Sequence, residues 1–147
     1  MHVRYGQGDF MTEVKQERRT NRSTNQREAL SNLLDYARLK GGFDHIFIVD
    51  DDGELVAHSN PMGDAATLAP MAWVLQKAAG TLPGPVSFEK AETVVIQVSE
   101  GKSLACHYIR GKFNGAILAT VEGKMPSSTE KILAGTVESY LRILTKR

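Results

Sequence analysis

The sequence predicts an α+β domain: a five-stranded antiparallel sheet with helices on its faces, in the order helix, strand, strand, helix, strand, strand, strand, helix. Three observations predict it. Short runs rich in β-branched and aromatic residues recur at Asp44–Val49, Glu54–His58, Thr93–Val98, Ser103–Ile109 and Gly115–Val121. The turns between them, Asp50–Gly53, Glu100–Gly101 and Arg110–Asn114, are polar and too short for the crossover that parallel neighbours need. Three other segments carry apolar residues at helical spacing instead.

Residues 1–24 hold few apolar side chains and a polar run from Thr20 to Asn25, so they read as a disordered or flexible tail before a domain spanning 25–147. Lys15, Arg18, Arg19, Arg22 and Arg27 outnumber Glu17 there, but no aromatic side chains alternate with them to stack on bases, so a solvated arm is the reading. Asn25–Glu28 fits a capping box that opens the first helix. Leu30, Leu33, Leu34, Ala37 and Leu39 form its stripe, and Gly41-Gly42 stops it. Asp44–Val49 is apolar on both faces, which suggests a central strand, and Gly53 supplies the positive φ for a hairpin into Glu54–His58.

A middle helix is expected over Thr67–Ala79, with Thr67 as cap and Pro70 within its first turn, where a missing N–H costs nothing. Leu68, Met71, Ala72, Leu75 and Ala79 paint one face, yet the other side carries Ala69, Trp73 and Val74, with only Gln76 and Lys77 as long polar side chains. A helix this apolar all round calls for cover on both sides, from a second subunit, a partner, or a loop of its own chain. Gly80–Pro85 ends the helix and Val86–Glu89 reads as a short extended piece. Thr93–Val121 then forms a three-stranded meander. Leu104, Cys106 and Tyr108 lie on one side of its middle strand, and Ala105, His107 and Ile109 on the other. Ser127–Glu130 is a second capping box, and Leu133, Val137, Tyr140, Leu141 and Leu144 line the last helix.

The 147 residues suit one domain able to bury a core without covalent staples. With 18 basic and 17 acidic side chains, the chain has no domain-wide field for nucleic acid. The single Cys106 rules out an intrachain disulfide, and no apolar run is long enough to insert in a membrane, so a cytoplasmic setting is expected. Catalytic chemistry finds little support. Ile46–Asp52 looks like the first strand and acidic pocket of a phosphoryl-accepting receiver, but Gly53 opens a second strand where a helix is needed, and no Asp follows Glu100. Glu100–Ser103 mimics the tail of a phosphate-binding loop, but Ile96 stands where that loop needs Gly. Cys106 and His107 point to opposite faces, and His45, His58 and His107 lack metal spacing, so no cofactor or metal is expected.

The element order, the Asp-Gly hairpin after a strand apolar on both faces, and the apolar middle helix resemble the roadblock/dynein light chain family. The residues that carry this are Gly41–Ala57 and Leu68-Ala69, and the resemblance covers residues 26–146. It implies a non-enzymatic adaptor whose two copies pair their middle helices and join their third strands edge to edge. Carried onto this chain, the interface positions are Met71, Trp73, Val74, Lys77, Val94 and Ile96. Bacterial members commonly regulate small Ras-like GTPases, some by repositioning the GTPase's own residues, and this chain shows no arginine finger. The alternatives are a profilin-like or longin-type sensory module with a ligand cavity, and a structural scaffold subunit with no GTPase partner.

Overall fold

A computed structural model describes residues 10–80, 93–98 and 101–145. The elements are α1 (Phe10–Gly41), β1 (His45–Asp50), β2 (Leu55–His58), α2 (Ala65–Leu68), α3 (Met71–Gly80), β3 (Thr93–Val98), β4 (Lys102–Ile109), β5 (Gly115–Glu122) and α4 (Thr129–Thr145). The five strands form one sheet in the order β2-β1-β5-β4-β3, with every pairing antiparallel. Both the hairpin and the meander of the sequence reading are present. They are joined because β5 pairs with β1 from His45↔Thr120 to Asp50↔Gly115, which places the two most apolar strands at the centre.

One face of the sheet is covered by α1 and α4. Leu30, Leu34, Ile46, Ile48, Ile109, Ile117 and Leu133 make this core, with Val137 and Tyr140 closing one side. The other face lies under α2 and α3, where Phe47, Val49, Leu104, Cys106, Tyr108 and Leu118 from the sheet meet Ala65 and Ala72 from the helices and Ala69 from the joint between them. The alternation read for β4 holds, since Cys106 and Tyr108 belong to the second core and Ala105 and Ile109 to the first.

Three local expectations are corrected. The capping box at Asn25 does not open α1: the helix begins at Phe10, and residues 10–24, expected as tail, belong to it. A capping signal cannot stop a helix already running through it, and there is no Gly or Pro from Phe10 to Lys40 to break one. Leu39 is exposed, because five residues beyond Leu34 the helix has turned well away from the buried stripe. The middle helix is two pieces. α2 ends at Leu68, and Pro70, which has no N–H to continue the ladder, separates it from α3, whose first turn starts on the Pro70 carbonyl (Val74 N to Pro70 O, 3.3 Å). Thr67 therefore lies within α2 and caps nothing. Val86–Glu89 falls outside the described residues.

The edges of the sheet differ. β2 is four residues long, its pairing with β1 shifts register between Ile48 and Val49, and Asn60 just beyond it is tied to α1 through Asp35 and Ser31. β3 is six residues long in regular register with β4, and among the described residues nothing pairs with its outer edge.

Candidate functional site

The site is built around the first turn of α3. Asp50 ends β1 and organises the turn that follows: its Oδ1 accepts from the amides of Asp52 and Glu54 at 2.9 Å each, and its carbonyl accepts from Gly53 N at 3.1 Å. Gly53 has φ +81°, and a Cβ there would come 3.2 Å from Cδ1 of Trp73, so backbone conformation and close approach both require glycine. Trp73 packs over this turn and its indole N–H donates to the Asp50 carbonyl at 2.9 Å. Its ring lies 6.1 Å from that of Tyr108, tilted by 41°. From below, the Tyr108 hydroxyl donates to the carbonyl of Ala72 at 2.8 Å in a buried bond. The Arg110 guanidinium sits over the Tyr108 ring, 5.5 Å from its centroid.

Part of the cover expected from a second subunit thus comes from the chain itself. Trp73 is half-buried against its own β1–β2 turn, whereas Val74 is 58% exposed and Lys77 is exposed. Met71 is half-buried against the core below α3. Val94 and Ile96 are half-buried against that same core, so α3 and β3 flank one apolar layer. Val95, which the sequence reading passes over, faces the opposite side and is 54% exposed. The sequence places Tyr108 on a strand face but not against α3, a link that spans 36 residues.

Nothing here assembles a reactive centre among the described residues. Burial pushes the Cys106 thiol up to about 11, with the neighbouring Tyr108 hydroxyl opposing the shift, so at neutral pH it is a protonated core residue. Burial, and then proximity to Cys106, also raises the Tyr108 phenol. His107, on the other face, is within 2.7 Å of the Thr93 hydroxyl through Nδ1 and ties β3 to β4. The carboxylates of Asp50, Asp51 and Asp52 offer oxygens within 4.8 Å of one another. Of these, Asp50 is engaged in capping its own turn, and Asp51 and Asp52 are exposed. No helix among the described residues is long and apolar enough to cross a membrane.

A scan against protein-family profiles and a comparison with curated proteins match nothing. Solved structures do match. The gliding protein MglB from Thermus thermophilus superposes with a TM-score of 0.66 at 16% identity, over 83% of this chain and 93% of that one. A Roadblock/LC7 domain from Streptomyces avermitilis follows at 0.61 and 15% identity, over 79% and 98%. The chain has the roadblock fold. MglB from Myxococcus xanthus agrees, at a TM-score of 0.58 and 16% identity over 80% of this chain and 93% of that one. The shared roadblock fold extends across most of both chains in each case, and at these identities what is shared is architecture. It also excludes the receiver reading, because a receiver needs a parallel sheet and this one is antiparallel throughout.

Proposed function

We propose that this chain is a non-enzymatic roadblock adaptor which forms a homodimer and, in the cytoplasm, binds and regulates a small Ras-like GTPase. Its domain is residues 25–147, with residues 1–24 as an appendage. The single observation that carries the reading is the juxtaposition of two features left unsatisfied among the described residues: the open outer edge of β3 and the exposed side of α3 at Val74 and Lys77, which flank the same core. A second copy docked there covers backbone and apolar side chains together. Met71, Trp73, Val74, Lys77, Val94 and Ile96 are the interface positions. Val74 and Lys77 contribute exposed side chains, and the half-buried four contribute the floor and rim. The GTPase rests on the roadblock resemblance.

Two measurements test this. Sedimentation or light scattering at tens of micromolar reads the oligomeric state, and a clean monomer sinks the dimer. Capture of Ras-like GTPases from the same genome, loaded with GDP or with GTP, reads the regulatory half. A preference for one nucleotide state is expected, and equal or absent capture in both removes the GTPase and leaves a scaffold.

A further inference from the structure

Few large side chains hold α3 down. Among the described residues its wholly buried contact with the sheet is a single alanine, Ala72, and its larger residues Met71, Trp73 and Leu75 are only half-buried. An alanine fills little space and resists rotation of the helix poorly. What defines the seat of α3 is a pair of hydrogen bonds on consecutive residues: Tyr108 rises from β4 to the Ala72 carbonyl, and the Trp73 indole reaches sideways to Asp50. Two restraints from different directions fix both the height and the rotation of the first turn. Val74 lies two residues beyond Ala72, about 200° around the helix, so whatever holds Ala72 toward the sheet turns Val74 away from it.

We propose that Tyr108 is a positioning residue for self-association: by gripping Ala72 it sets the rotation of α3 and presents Val74 and Lys77 to the second copy, without meeting that copy itself. This rests on the reading of α3 as interface. The ring of Tyr108 belongs to the core, and phenylalanine would fill the same space. The hydroxyl is the part assigned to positioning, and a buried hydroxyl needs the partner that Ala72 supplies.

The test compares the full chain with its Tyr108→Phe variant by sedimentation equilibrium, at a temperature where circular dichroism shows both fully folded. The dimer dissociation constant should rise about twofold to tenfold: the bond lies within one chain, so its worth caps what reseating α3 can cost the dimer. Emission from Trp73, the one tryptophan, should shift as the helix reseats. A hydroxyl that serves stability alone would lower the melting temperature and leave the dissociation constant unchanged, and that result overturns the proposal. If Tyr108→Phe does not fold on its own, it and Tyr108→Met are compared with the wild type in the stabilising osmolyte trimethylamine N-oxide; unchanged dimer affinity there overturns the proposal equally. A wild-type chain that is monomeric throughout removes the dimer, and the positioning role with it. A wild-type dimer with indifferent variants removes the positioning role alone.

Discussion

The two faces of the sheet are closed in different ways. Under α1 and α4, branched side chains from both layers interlock: Leu34, Ile46, Ile48, Ile117 and Leu133 are all wholly buried. Under α2 and α3 the sheet supplies large residues, Phe47, Leu104 and Leu118, but the helices answer with Ala65, Ala69 and Ala72 and leave Leu68, Met71, Trp73 and Leu75 half-covered. The first face is closed within one chain everywhere but at Val95, near the β3 edge. The second is finished only with respect to folding, and its outer layer still carries apolar surface. The difference separates the residues that make the protein stable from those proposed above to meet a second copy.

That contrast can be broken or sharpened by substitution. The largest effect on the folding of the single chain belongs to the finished face: Leu34→Ala removes a fully buried side chain and should cost about 3 kcal/mol in urea unfolding, leaving the dimer affinity of the folded fraction unchanged. Next comes alkaline pH. Cys106 on the second face is raised from 9.0 to about 11 when folded, so the native state holds a proton that the unfolded chain gives up first. Stability should be full below about pH 9 and should then fall by at most about 1.4 kcal/mol per pH unit as pH rises toward 11. Burial raises the phenols of Tyr108 and Tyr140 as well, which extends the decline above pH 10. Unfolding titrations of the wild type and Cys106→Ala would isolate the thiol's share, since the variant should lose the first part of the slope.

Gly53→Ala is smaller, about 1 to 2 kcal/mol, because alanine resists φ +81° and its methyl presses on Trp73. Here the tryptophan emission should move along with the melting temperature. The smallest effect on folding is expected at Val74→Asp, within about 0.5 kcal/mol, since the side chain is already mostly in water. In that variant the dimer should disappear from sedimentation profiles. If Val74→Asp destabilises the chain as much as Leu34→Ala does, the two faces are alike and the contrast fails.

Much of the architecture was legible because it is written in short-range pattern. Short β-branched and aromatic runs with polar turns placed all five strands, and the Asp-Gly turn needed only Asp50 and Gly53 to be recognised. Local signals misled where a neighbouring context outweighed them. Asn25–Glu28 has the letters of a helix start but sits inside a helix, and Pro70 is compatible with a first turn yet divides α2 from α3. The anatomy of the site was beyond reach for a different reason. Trp73 meets Asp50 across 23 residues and Tyr108 meets Ala72 across 36, and both contacts exist only once the sheet order is settled. Composition could mark the α3 stretch as too apolar for water, but it could not say that Trp73 would be half-sheltered at home while Val74 was left outside.

The unequal edges of the sheet set a limit on growth. A strand rim that is long and regular accepts a neighbour, whereas a brief rim with a register slip beside a helix does not. A protein with two inviting rims would stack without end into a filament. With one, pairing of the kind proposed above would use up the vacancy, and the row would terminate at two copies.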